Sequence, residues 1–165
     1  MGFTAAGSSF ESFYSPTRGK LSKEDVFSQI EQTIASASGP VKVIVGADSQ
    51  MKSRGTYFAL VISVIRSGRG GSFFYHKFQE RRYSSLQQRI FQEALYAVGL
   101  ATEVRQYLRD HHLETPVQLH FDIGNKGPTR KFIQSLLALA ETNHFRAEIK
   151  PNSFCASTIA DRFTR

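Results

Sequence analysis

The stretch from Leu86 to Leu108 constrains the fold most. Leu86, Ile90, Ala94, Ala97, Ala101, Val104 and Leu108 recur with the 3.6-residue period of an α-helix, so a long helix must bury one continuous face. Ser84 or Ser85 is placed to cap it. The segments before it are β-like. Residues 41–47 are β-branched and apolar on both parities, the pattern of a central strand covered on two faces. Residues 56–66 and 73–80 read as strands joined by Ser67-Gly68-Arg69-Gly70-Gly71, which opens no helix and so suits a hairpin rather than a phosphate loop.

The remaining elements complete an α/β plan. A helix begins at Ser22, which forms a box-like cap with Asp25, and Val26, Phe27, Ile30 and Ile34 follow at helical spacing. Downstream, residues 117–123 read as a strand, 131–141 as an amphipathic helix, 145–149 as a short strand and 157–163 as a terminal helix. Three strands in a meander and two more reached through helices predict a mixed five-stranded sheet, three strands antiparallel and then two parallel. Helices should cover both faces, with one extra helix at the N-terminus. Residues 1–20, rich in Gly, Ser and Thr, are expected to form an irregular arm whose Phe10, Phe13 and Tyr14 dock on a single domain spanning 21–165, with base binding by these aromatics as the alternative.

Charge narrows the partners. The 165-residue chain has 21 Lys and Arg against 14 Asp and Glu, a formal net charge of +7, which favours a polyanion and makes nucleic acid the first candidate. No apolar run reaches the roughly 18 residues of a membrane span, and the N-terminus has no signal-peptide core. The single cysteine, Cys155, excludes an intramolecular disulfide and a thiolate-rich zinc site, so a cytoplasmic protein is expected.

Acids stand where such sheets collect ligands. Asp48 closes the strand of residues 41–47 and Asp122 lies near the end of the strand at 117–123, so parallel neighbours about 4.8 Å apart would bring both carboxylates to one edge. Either one alone could simply cap its turn; together they repel unless a cation or a shared proton compensates them, and they are placed to share a hard divalent cation. On the long helix Glu93 falls about 60° from the centre of the apolar stripe, bordering the sheet, whereas Glu103 falls about 140° away and should face water. Asp161, in the last helix, is a fourth candidate. His120, two residues before Asp122, is placed to support the carboxylates or pass protons, or to pack as an ordinary strand histidine. Lys126, Arg130 and Lys131 follow Asp122 at a helix entrance and are candidates for phosphate binding.

This element order, with acids on the first strand, the long helix, the fourth strand and the last helix, resembles the ribonuclease H fold. The strings Gly46-Ala47-Asp48-Ser49-Gln50, Phe121-Asp122-Ile123-Gly124, Ser15-Pro16-Thr17-Arg18-Gly19 and the run from Lys150 to Ser157 resemble the ribonuclease H-like YkuK family of uncharacterised bacterial proteins. That resemblance implies a metal-dependent nuclease in which Asp48, Glu93, Asp122 and Asp161 hold two Mg²⁺ or Mn²⁺ ions for phosphodiester hydrolysis. The same fold also serves non-catalytic modules, so a catalytically degenerate nucleic-acid-binding module is the alternative.

Overall fold

The structure, a computed structural model, describes residues 10–150. Strands β3 (Val41–Lys52), β4 (Gly55–Arg66) and β5 (Gly70–Glu80) form the expected antiparallel meander. Pleat alternation sorts their side chains. Val43, Val45 and Ala47 of β3 share a face with Leu60, Ile62 and Val64 of β4 and form the main core, while Ile44, Ala59 and Val61 make a smaller cluster on the other face. Both parities of β3 are buried, which explains its two-sided apolar sequence. The reversal between β3 and β4 requires Gly55, whose φ is +151° and whose missing Cβ would collide with the Glu80 carbonyl oxygen.

The helices follow their sequence signals. In α1 (Lys23–Ser36) the Ser22 side chain accepts the Asp25 N–H at 3.0 Å, and in α2 (Leu86–Asp110) Ser85 accepts the Gln88 N–H at 3.1 Å. The α2 stripe Ile90, Ala94, Ala97, Ala101, Val104 and Leu108 is buried as the period requires. Replacing Leu108, 1% exposed, by alanine would cost about 2–5 kcal/mol. Glu103 does not face water. It is half-buried and pairs at 3.5 Å with Lys23, because the start of α1 packs beside that part of α2.

After α2, β6 (Val117–His120) joins β3 in parallel, and β7 (Arg146–Glu148) joins β6 in parallel. Between them a 3₁₀ turn over Arg130–Phe132 precedes α3 (Ile133–Thr142), so the amphipathic helix starts later than residue 131. Buried residues of α1, α2 and α3 all enter the one large core. Helices on both faces were expected; the described helices cover one face, and the expected helix at 157–163 lies outside the described residues.

Among the described residues the sheet has seven strands rather than five, in the order β2-β1-β5-β4-β3-β6-β7. The extra pair comes from the segment expected to be irregular: β1 (Ser12–Ser15) and β2 (Gly19–Ser22) form a hairpin, and β1 adds to β5. Glycine and serine content disguised the alternation of Phe13 inward and Tyr14 outward. Phe10 and Phe13 do dock, at 2% and 0% exposure, but Tyr14 does not, at 46%.

Candidate active site

β6 ends at His120, opposite Gly46, whereas β3 continues to Lys52. Among the described residues β3 has no parallel neighbour beyond that pair, and near this edge the charges of Asp48 and Asp122 both act on Glu93. Asp48 lies inside β3, paired with Ala59, rather than at the strand's end, because the hairpin to β4 keeps the chain extended. Asp122 lies two residues past β6 in a bend, since β6 stops at His120 instead of reaching Ile123. Glu93, on the second turn of α2, is buried.

Alternation along β3 places Ser49 in the row facing the helices and Asp48 in the row of Ile44 and Gly46. Ser49 therefore meets α2 directly: its hydroxyl donates to Glu93 Oε1. Arg89, one turn before Glu93, donates from Nη1 to both the carbonyl and the hydroxyl oxygen of Ser49, each at 3.0 Å. A narrow cavity lined by Ala47, Glu93, Phe121 and Asp122 joins the helix to the strand ends.

Burial pushes the Glu93 carboxyl well above the ordinary carboxylate range, and the negative charge of Asp48 adds to the rise. The Ser49 hydrogen bond and the Arg89 charge oppose it, while Asp122 contributes a further upward push. Both aspartates thus act electrically on Glu93. Asp122 has its own cation, since Lys150 Nζ lies 2.8 Å from Oδ1 and the Lys150 N–H donates to the Ile123 carbonyl at 2.7 Å. A Cβ on Gly124 would stand 3.0 Å from Lys150 Cβ, so glycine there gives the lysine stem room to pass.

This donor set suits a hard divalent cation. It consists of carboxylate oxygens with no sulfur, it concentrates negative charge at one opening, and a lysine ammonium already rests on one member. Among the described residues, however, no group of three or more His, Cys, Asp or Glu is arranged to hold a metal ion. Asp48, Glu93 and Asp122 share an electric field rather than a closed coordination shell. Asp161 and Cys155 lie outside the described residues.

The remaining candidates sit around this edge. Lys126 is exposed in the loop after Asp122, and Arg130 and Lys131 are exposed in the 3₁₀ turn, with Lys131 Nζ 5.3 Å from the Phe132 ring centre. His120 is buried between Gly46 and Glu148 in the ladder. Burial lowers its pKa, Glu148 opposes the shift and Lys42 adds to it, and the result is a value of about 4. It is neutral at physiological pH.

Sequence reasoning missed Ser49, Arg89 and Lys150. Two of these carried a readable signal: Arg89 stands four residues before Glu93 and so shares its helix face, and Ser49 follows Asp48 and so takes the opposite strand face. Lys150 reaches Asp122 only through the parallel pairing of β6 with β7, which no local pattern encodes.

A family model described as Ribonuclease H-like matches residues 25–165. The chain is also similar to the uncharacterized protein YkuK of Bacillus subtilis (strain 168), with 26% identity over 171 residues, covering 93% of this chain and 96% of that protein. No solved structure matches. No helix among the described residues is long and apolar enough to cross a membrane.

Proposed function

Since the chain belongs to the ribonuclease H-like family, we propose that it is a metal-dependent nuclease that hydrolyses phosphodiester bonds of nucleic acid at the edge where Asp48, Glu93 and Asp122 meet. The observation that carries this reading is the buried Glu93 carboxyl, fixed by Ser49 and subject to the charges of both aspartates. A buried acid whose pKa is raised by neighbouring carboxylates is costly to keep ionised without a compensating cation, and such groups concentrate at functional sites.

Asp48, Glu93 and Asp122, joined by Asp161, would hold two Mg²⁺ or Mn²⁺ ions. When bound, such ions supply an activated water and stabilise the leaving oxygen. The chain's own residues do the rest. Ser49 and Arg89 orient Glu93 and restrain its proton affinity, and Lys150 balances Asp122. Lys126, Arg130 and Lys131 contact phosphates and set the strand's position without reading its sequence. His120, neutral and buried behind the strand ends, supports the edge.

A second reading is favoured by one observation, the Lys150 ammonium on Asp122. If that ion pair replaces a metal permanently, the chain is a catalytically degenerate nucleic-acid-binding module. The deciding experiment incubates the purified full chain with RNA, DNA, hybrid and junction substrates in Mg²⁺ and in Mn²⁺. Metal-dependent cleavage of any of them is the expected result. Tight binding of one substrate with no cleavage in either ion overturns the nuclease reading and installs the module.

A further inference from the structure

Among the described residues Tyr14 is the large apolar side chain left exposed, at 46%. Its register identifies its neighbours. Tyr14 pairs with Lys20 of β2 on one side and Tyr75 of β5 on the other, and residues directly opposite in a ladder point to the same face. Tyr75 in turn pairs with Val61, a member of the smaller cluster, so this row lies on the face opposite the helices. The Tyr14 and Tyr75 rings stack with centroids 6.0 Å apart and planes 26° from parallel. Lys77 Nζ lies 5.9 Å from the Tyr75 ring centre.

This strip is tied to the candidate active site by register. Lys77 pairs with Ala59, and Ala59 pairs with Asp48, so the pleat assigns Asp48 to the same face as the tyrosines and lysines. Ala59 and Val61 are fully buried, which leaves the outer strands as the part of this face that presents rings and ammonium groups to solvent. Lys20 and Lys77 are exposed, as Tyr14 is. Two strand spacings of about 4.8 Å separate β5 from β3, three separate β1 and four separate β2, so the strip runs from roughly 10 to roughly 19 Å across the sheet from the strand that bears Asp48.

We propose that Tyr14 and Tyr75, flanked by Lys20 and Lys77, form a platform that binds single-stranded nucleic acid, with bases stacked on the rings and phosphates against the ammonium groups. The inference rests on the nuclease reading in taking nucleic acid as the ligand of this chain, and it adds the strand class. Exposed rings on a sheet accept any unstacked base, whereas a duplex hides its base faces. The flanking lysines complement a phosphate chain, and the net charge of +7 agrees in sign.

The test measures binding of a fluorescein-labelled twelve-residue oligothymidylate, and of its duplex with oligoadenylate, to the full chain in chelator, where no cleavage intervenes. The single strand should bind at least about fivefold more tightly than the duplex. Tyr14→Ala should weaken single-strand binding by about tenfold, within the range of one lost base–ring stack, while Tyr14→Phe should bind as wild type. Lys20→Ala and Lys77→Ala should each reduce the slope of log affinity against log salt by about 0.7. Should Tyr14→Ala lose its thermal transition, Tyr14→Leu, which keeps apolar bulk without a ring, is the variant read.

Single-strand binding unchanged in the ring-less variant overturns the proposal, as does a Tyr14→Phe loss equal to that of alanine. A wild-type dimer that becomes monomeric on ring removal with strand binding intact assigns the strip to self-association and also overturns it. The two readings fail separately. A wild type that cleaves nothing but shows the Tyr14 effect sinks the nuclease alone, and one that cleaves while Tyr14→Ala binds normally sinks the platform alone.

Discussion

Ser49 reaches from β3 to donate a hydrogen bond to the buried carboxyl of Glu93 on α2, and this contact joins the sheet to the helix where the charges of Asp48 and Asp122 act on Glu93. Arg89 holds Ser49 from behind. Glu93 thus has a fixed orientation before any ligand arrives, which is what a preorganised carboxylate needs. The same fixation carries an electrostatic cost that experiment can read.

That cost sets a pH dependence. Glu93 titrates well above the ordinary value of 4.5, so at pH above 4.5 the folded chain retains a proton that the unfolded chain has released. Stability therefore falls as pH rises from 4.5 through the folded-state pKa. In chelator, Glu93→Gln, which keeps an oxygen to accept from Ser49, should melt higher than wild type at pH 8, and the difference should shrink toward pH 4.5. Thermal melts across that range check it, and a variant that melts lower at pH 8 would contradict the assignment of the cost to burial and the neighbouring aspartates.

Lys150 is predicted to compete with cations. Its ammonium lies 2.8 Å from Asp122 Oδ1 but is half-exposed, so the pair contributes no more than about 1 kcal/mol. Lys150→Met should tighten Mn²⁺ binding by up to about fivefold in calorimetric titration. Weaker binding in this variant would show that the lysine supports the ligand site instead of opposing it.

What the sequence disclosed and what it hid follow from the range of the interactions. The stripe of α2 and the two-sided β3 were legible because burial imprints a period on consecutive residues. The Ser22 cap was legible because its partner Asp25 is three residues away. The β1–β2 hairpin was not, since its strands are four residues each and only Phe13 marks the buried side. Asp48, Glu93 and Asp122 were singled out by placement, but strand lengths decide where the two aspartates lie: β3 runs past Asp48 and β6 stops before Asp122. Neither Lys52 nor His120, where these strands end, is followed directly by a glycine or proline.

His120 predicts the acid limb of the stability curve. Its pKa of about 4 in the fold lies below the usual 6.5, so between those values the unfolded chain takes up a proton that the folded chain refuses. Stability is fully present above pH 6.5 and falls as pH drops toward 4, by an amount on the order of 3 kcal/mol. His120→Gln should flatten this limb in denaturant titrations at pH 4.5 and 7. An undiminished slope would place the acid sensitivity elsewhere.

Lys126, Arg130 and Lys131 are predicted to act on phosphate as point charges. All three are exposed, and they sit in the loop and 3₁₀ turn that follow Asp122. Replacing all three by alanine should reduce the slope of log affinity against log salt by about 0.7 to 0.9 for each contact removed, equally for different sequences. An unchanged slope would move the phosphate path away from this turn.

The separation of catalysis from binding rests on Asp48 and Asp122. Asn at either position removes a negative charge with almost no change of shape, and both side chains are largely buried, so the fold should tolerate the isosteric change better than a truncation. Two-metal hydrolysis needs both charges, and cleavage should fall by at least about two orders of magnitude in either variant. Binding should move the other way. In chelator the wild-type carboxylates repel a phosphate chain, so Asp48→Asn should bind nucleic acid as tightly as wild type or slightly more tightly. Asp122→Asn removes the carboxylate charge 2.8 Å from the Lys150 ammonium and should do the same. Anisotropy titrations beside cleavage time courses on the same preparations distinguish the outcomes: loss of binding and cleavage together in both variants would mean that these aspartates hold the fold, not the reaction.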